Sequence, residues 1–98
     1  MIEHIVFWKL AEQAAGNDKW TNARIIKQRL EALVGVIPGL LEARVGLNLN
    51  GGDYDAVLVS RFTDLEALHA YDVHPAHTAV RDFVMQVRIS RASVDCEV

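Results

Sequence analysis

The spacing of the apolar residues changes along the chain and divides its first half into two elements. Residues 1–10, MIEHIVFWKL, carry β-branched and aromatic side chains at both odd and even positions, which predicts a strand with two apolar faces. From about Lys19 the apolar residues recur at steps of three and four, which predicts an amphipathic helix. Gly35 and the Pro38-Gly39 pair are expected to end this helix.

The pattern returns to alternation after the helix. Residues 40–49 alternate apolar and polar side chains, and so predict a second strand. The sequence NGGD at 50–53 tolerates positive φ angles and predicts a hairpin into a third strand at 54–62. Thr63 and Glu66 match a capping box, which predicts the start of a second helix.

Pro75 interrupts this second helical segment. A proline lacks the N–H that a helix interior needs, but the first turn of a new helix tolerates it. The sequence therefore predicts a helix to about Asp72, a joint at Val73-His74 and a fresh helix from Pro75. Residues 91–98, RASVDCEV, alternate again and predict a last strand.

The order strand, helix, strand, strand, helix, strand predicts a single α+β domain over residues 1–98. It is the ferredoxin-like βαββαβ pattern, with a four-stranded antiparallel sheet and its helices on one face. Ile5 with Phe7, and Val57 with Val59, make the second face of the sheet apolar as well. Since the helices cover only one face, we expect a homodimer through the other, resembling a dimeric α/β barrel.

Composition narrows the classes of function. Hydrophobic residues make up 51% of the 98 residues and charged residues 23%, as in folded globular proteins. The net charge of -3 and the scattered Lys and Arg favour neither nucleic acid nor an anionic membrane as a partner. No apolar run approaches the roughly 20 residues of a membrane span. One cysteine and no recognisable leader predict a cytoplasmic protein.

Three side chains are candidates for chemistry: His4 in the first strand, Tyr71 before the helix break and His77 after it. A histidine exchanges protons near neutral pH and a phenol donates to a developing oxyanion, so the pair suits proton abstraction next to a carbonyl. In the structural alternative, His4 is a paired core histidine, Tyr71 a core residue and His77 a surface residue. His74 precedes proline and is expected to be structural, capping the new helix.

Other chemistry has weaker support. A zinc site of His4, His74 and His77 remains an alternative, but no carboxylate is evidently placed to orient the rings. The glycines form no phosphate-binding motif, and no G-x-S-x-G is present. Cys96 lies on the apolar parity of the last strand and is expected to be buried and inert. We therefore predict no metal and no cofactor.

The sequence resembles the Dabb family of stress-responsive A/B barrel proteins over nearly its whole length. The matching segments are HIVFWKL, IPGLLEARVGLNL, DYDAVLVSRFTDLEAL, YDVHPAH and the terminal VDCEV. The resemblance implies a ferredoxin-like protomer in a dimeric α/β barrel. Some family members are cofactor-free enzymes, including a polyketide cyclase, and others are linked to stress tolerance.

The resemblance to the cyclase type also implies roles for the candidate residues. His77 would be the acid/base, Tyr71 the hydrogen-bond donor, and His4 would hold or polarise the substrate. We expect Trp8, Ile26, Leu30 and Phe83 to form the pocket walls, where Trp8 is bulky enough to fill the cavity.

Two functions follow. In the first, the protein binds a small apolar carbonyl compound and performs cyclase-like acid/base chemistry on it. In the second, it is a non-catalytic stress-response protein with a structural or interaction role. A cavity of at least ~300 Å³ favours the first function and a closed core the second.

Overall fold

The protein is a four-stranded antiparallel sheet with its helices packed on one face, as the sequence predicts. The computed structural model describes residues 1–98. The elements are β1 (Ile2–Leu10), β2 (Gln13–Ala14), β3 (Asn17–Asp18), α1 (Lys19–Glu31), β4 (Leu40–Leu47), β5 (Ala56–Phe62), α2 (Leu65–Val73), α3 (Pro75–Val87) and β6 (Arg88–Glu97). The sheet order is β4-β5-β1-β6, and β2 and β3 form a separate small ribbon. No helix has the length and apolar character that a membrane crossing requires.

The strand β1 lies inside the sheet and pairs antiparallel with β5 on one side and β6 on the other. Val6 is opposite Leu58 of β5 and Ser93 of β6. Val6, Trp8 and Leu58 are buried, because this parity faces the helices and forms the main core. The register of β1 therefore decides which side chains reach the interior.

The opposite parity of the strands forms an open sheet face that no helix covers. It carries six apolar side chains: Ile5, Phe7, Val57, Val59, Ala92 and Val94. Phe7 is 37% exposed and Val94 is 55% exposed. The strands thus have the two apolar faces that their sequences predict.

The edge strand β4 is closed by two side chains of α1. The Val45 N–H donates to Glu31 Oε2 at 2.9 Å, and Lys27 Nζ donates to the Val45 carbonyl at 2.8 Å. Lys27 and Glu31 also pair with each other at 2.7 Å. These bonds satisfy backbone groups that would otherwise offer an edge for pairing with another strand.

The second helix begins one residue later than the capping box predicts. Asp64, with extended backbone angles, is the N-cap of α2, and its Oδ1 accepts from the Ala67 N–H at 2.8 Å. Asp18 caps α1 in the same way through Thr21. The prediction of Thr63 as the cap was wrong, because a carboxylate one residue on reaches the free N–H groups.

Several boundaries also differ from the prediction. The helix α1 ends at Glu31, before the glycine, and residues 32–39 are mostly turns. β4 stops at Leu47, so the link to β5 is longer than a tight hairpin. A register shift between residues 40 and 42 leaves Leu41 exposed, although its parity in the sequence predicts burial. β6 begins at Arg88, three residues earlier than predicted.

We predict that Gly39→Ala destabilises the protein more than Gly35→Ala. Both glycines have positive φ, +83° and +87°, so each substitution incurs about 1–2 kcal/mol of left-handed backbone strain. At Gly39 an added Cβ would lie 2.6 Å from the Ala67 Cβ, which adds overpacking of about 1–3 kcal/mol. At Gly35 nothing lies within 4 Å. Urea unfolding of the two variants measures the difference, and equal losses would contradict the contact with Ala67.

Candidate functional site

The helix break at Pro75 releases a backbone carbonyl into the candidate site. In a continuous helix the Asp72 carbonyl would accept from the Ala76 N–H. Here the Ala76 N–H instead donates to His74 Nδ1 at 3.1 Å, because His74 is the N-cap of α3. The capping role predicted for His74 is therefore present, and the Asp72 carbonyl is left free for side chains.

His77 takes up that free carbonyl. Its Nδ1 lies 3.2 Å from the Asp72 carbonyl oxygen, and only a protonated nitrogen can donate to a carbonyl. In the neutral ring this leaves Nε2 with a lone pair that can accept a proton. Burial lowers the pKa of His77, while the Asp72 carbonyl and carboxylate oppose that shift. The neutral, basic form of His77 is thereby favoured.

Tyr71 packs directly against His77. Their ring centroids are 4.1 Å apart with planes tilted by 30°. Tyr71 is only 2% exposed, and burial, followed by the charge of Asp72, raises its pKa far above the usual value. The hydroxyl has no hydrogen-bond partner within the chain, and it is accessible from the adjoining cavity, which Tyr71 lines. It is a neutral hydrogen-bond donor there.

His4 reaches the same cluster from β1. Its ring lies edge-on to Tyr71 at a centroid distance of 6.4 Å and to Phe62 at 6.5 Å. Its Nδ1 is hydrogen-bonded to the Asp95 carboxylate, which fixes the orientation of the ring. The His4 side chain is 13% exposed, whereas that of Asp95 is 48% exposed. The structure thus brings His4, Tyr71 and His77 together although 73 positions separate the first from the last.

Asp95 is the one residue of this cluster that the sequence patterns did not predict. The absence of a carboxylate to orient the histidines was a wrong expectation, because Asp95 is directly opposite His4 in the β1–β6 register. The ferredoxin-like order places the last strand beside the first, and the alternation of RASVDCEV already puts Asp95 on the polar parity. The two signals together could have identified the pair.

The cluster lines a cavity of about 290 Å³ between the sheet and α3. Ligand pockets start at about 300 Å³, so this cavity is at the lower limit and suits a small molecule. Trp8 and Leu30 line it as expected, and Trp8 forms a wall without filling it. Ile26 is instead fully buried in the core. Phe83 packs against Arg29, whose guanidinium carbon lies 4.8 Å from the centroid of the Phe83 ring.

The remaining candidates lie elsewhere or are otherwise engaged. No group of three His, Cys, Asp or Glu side chains is arranged to hold a metal ion. Cys96 pairs in register with Glu3 on the open sheet face, where it is only partly buried. In the single chain it is only partly buried, because the helices cover the other side of β6.

The comparisons with known proteins agree with this architecture. The family model described as Dabb, the stress responsive A/B barrel domain, matches residues 2–98. A dimeric ferredoxin-like protein of unknown function from Bacteroides fragilis NCTC 9343 is 33% identical, with a TM-score of 0.89 over 99% of this chain and 95% of that one. No curated protein matches the chain.

Two further solved structures share the fold. One is a dimeric ferredoxin-like protein of unknown function from Jannaschia sp. CCS1, with 28% identity, a TM-score of 0.78 and coverage of 99% and 98%. The other is a hydroxynitrile lyase from Passiflora edulis, with 14% identity, a TM-score of 0.82 and coverage of 99% and 92%. At 14% identity the likeness is one of fold alone.

We predict that His77 titrates below its ordinary pKa of 6.5, because burial disfavours the charged ring. Asp72→Asn should lower the midpoint further, since it removes a carboxylate that stabilises the imidazolium and leaves the backbone carbonyl in place. The measurement is NMR titration of the histidine ring protons, with His77→Gln to assign the signal. A midpoint above 6.5 in the unmodified protein would contradict this environment.

Proposed function

Because the chain belongs to the Dabb family of stress-responsive A/B barrel proteins, we propose that it binds a small apolar carbonyl compound in this cavity and transfers protons on it without a cofactor. The observation that carries the proposal is the contact of His77 with Tyr71 at the wall of the cavity. A basic imidazole and a neutral phenol then face one ligand. The side chains of Val6, Trp8 and Leu58 supply its apolar walls.

The chemistry divides between the two side chains. His77 Nε2 takes a proton from the carbon next to the carbonyl, the C–H electron pair forms the enolate, and the imidazole becomes protonated. The Tyr71 hydroxyl donates a hydrogen bond to the enolate oxygen, where negative charge develops. Return of a proton from His77 to carbon completes an exchange. In cyclase-like chemistry the enolate carbon would instead attack a second carbonyl, and the alkoxide formed there would take the proton from His77.

His4 has a positioning role in this proposal. The Asp95 carboxylate holds its Nδ1–H, so Nε2 is the nitrogen that remains for the cavity. The pair resembles the carboxylate–histidine arrangement by which other enzymes fix the tautomer of a ring. His4 would contact the carbonyl compound and orient it towards His77.

The open sheet face supports a homodimer as the assembled form. Its six apolar side chains lie on paired strands, and an uncovered apolar patch on a sheet marks an interaction surface. The Bacteroides and Jannaschia proteins, which share this fold, are themselves dimeric. A second copy laying the same face against this one would bury both patches.

We predict that the protein catalyses deuterium exchange into 2-octanone, a neutral methyl ketone, in D₂O. His77→Gln should lower the rate by about 10²- to 10⁴-fold, the usual contribution of a general base. His69→Gln is the matched control, because His69 is exposed and lies outside the cavity. NMR follows the exchange. A His77→Gln variant with unchanged rate would overturn the proposed role.

The rate of this exchange should fall at acidic pH. The basic form of His77 exists above its pKa, and burial lowers that pKa below 6.5. The rate should therefore be level at neutral pH and fall as the pH drops through a midpoint below 6.5.

We predict that Val59→Lys dissociates the dimer, since it places a charge in the middle of the open sheet face. Leu49→Lys is the control, because Leu49 is 99% exposed and lies outside the sheet. Light scattering coupled to size exclusion at micromolar concentration measures the mass. A monomeric unmodified protein would remove the dimer from the proposal.

A further inference from the structure

The cavity has a strong local charge that the proposed chemistry does not use. Its lining includes three arginines, Arg81, Arg88 and Arg91, and one carboxylate, that of Asp72. The whole chain has a net charge of -3 and seven arginines, so three of the seven converge on one small cavity. Like charges around a common space repel one another, and an anion between them offsets this repulsion.

Two of these arginines have no carboxylate partner within the chain. Neither Arg88 nor Arg91 forms an ion pair. Arg91 donates only to Ser93 Oγ, at 3.3 Å, and Arg88 makes no side-chain hydrogen bond within the chain. Arg81 donates to the Asp72 carbonyl at 3.4 Å, and its distance to the Asp72 carboxylate is 3.9 Å. Most of the guanidinium donors therefore remain available.

A position at the end of a helix does not explain this arrangement. Arg88 directly follows α3, where a cation interacts favourably with the helix dipole. That effect is confined to the last turn of a helix, whereas Arg91 belongs to β6 and pairs in register with Trp8. The two arginines share the cavity rather than the helix end.

Arg88 and Arg91 lie at the end of the cavity away from the histidines, whereas Arg81 shares the Asp72 carbonyl with His77. In the register of β1 and β6, Asp95 is opposite His4 and Arg91 is opposite Trp8. His4 and Trp8 are four residues apart along β1, and Asp95 and Arg91 are four residues apart along β6. Four residues of a strand span about 13 Å. His77 lies in the first turn of α3 and Arg88 directly follows this helix, so the eleven residues between their positions correspond to about 16 Å. The sheet and α3 thus place the histidines at one end of the cavity and Arg88 and Arg91 at the other. Val6, Trp8 and Val84 also line it.

We propose that the ligand of this cavity is an oxyanion-bearing carbonyl compound, with its carbonyl at the histidine end and its anionic group held by Arg88 and Arg91. The proposal rests on the proposed function for the role of the histidine end. Planar guanidinium groups bind carboxylate or phosphate through paired hydrogen bonds. An apolar spacer joins the two groups of the ligand, and Arg81 remains beside His77 at the other end of the cavity.

The test compares ligands that differ only in charge. 7-Oxooctanoate carries a methyl ketone and a remote carboxylate, and 7-oxooctanamide is its neutral counterpart. Calorimetry should show that the unmodified protein binds the carboxylate at least about tenfold more tightly than the amide, as expected for hydrogen bonds to a charged group. Equal affinities would overturn the proposal.

The variants assign the preference to the two arginines. Arg88→Gln and Arg91→Gln together should abolish the preference, so that 7-oxooctanoate binds no more tightly than 7-oxooctanamide. Arg24→Gln is the control, because it removes one exposed arginine that does not line the cavity. A preference that survives in the double variant would place the anion elsewhere and overturn the proposal. Circular dichroism and the melting temperature confirm that the double variant is folded.

A further comparison separates the two kinds of oxyanion. 6-Oxoheptyl phosphate replaces the carboxylate with a phosphate on a similar spacer. Tighter binding of either anion than of the amide, lost in the double variant, supports the proposal and identifies the oxyanion. Failure of both anions to exceed the amide overturns it.

Failure of this proposal is distinguishable from failure of the proposed function. Exchange of neutral 2-octanone that requires His77, together with equal affinities for 7-oxooctanoate and 7-oxooctanamide, would reject the anion and keep the acid/base site. A charge preference lost in the arginine variant, together with exchange that is indifferent to His77→Gln, would keep the anion site and reject the catalytic role.

Discussion

The antiparallel pairing of β1 with a strand on each side is the constraint on which the rest of the structure depends. Hydrogen bonds to β5 and β6 fix its register, and strand geometry then sends alternate side chains to opposite faces. Val6 and Trp8 anchor the core, whereas Ile5 and Phe7 remain on the open sheet face. A slip of one residue would exchange these sets and would remove His4 from the cavity.

The helix break is the second device on which the site depends. Pro75 ends the helical hydrogen bonding, and the His74 side chain caps the new helix by taking the Ala76 N–H. The consequence is a free Asp72 carbonyl that orients His77. His74 thus helps to determine which nitrogen of His77 carries the proton. His74 and His77 differ because each contacts a different backbone group at the break.

Electrostatics gives the cavity two distinct ends. Burial keeps Tyr71 protonated and favours neutral His77, so the histidine end suits proton transfer on a neutral carbonyl. The arginine end has excess positive charge with few internal partners. Such a division separates binding energy from chemistry, because a remote anionic group can orient a substrate without touching the reacting atoms. The fold is shared with the hydroxynitrile lyase of Passiflora edulis, but the side chains in the cavity determine what each protein does.

The sequence alone determined the order of the helices and of the four strands of the main sheet, the helix break and the two apolar faces of β1, because each rests on local spacing or on the chemistry of one residue. Alternation predicts strands wherever burial differs between faces, and proline fixes the backbone whatever its surroundings. The cap of α2 and the ends of α1 were less predictable. Neighbouring residues such as Thr63 and Asp64 compete for the same N–H groups, and small differences in geometry decide between them.

Only the tertiary structure decided which polar residues meet. His4 and Asp95 are 91 positions apart, and their hydrogen bond exists because β6 pairs with β1 in one register. The open state of the cavity likewise depends on where the Trp8 ring lies, which its sequence position does not specify. The convergence of Arg88 and Arg91 follows from the path of α3 into β6. Such contacts depend on packing between distant segments, and local sequence patterns carry little information about them.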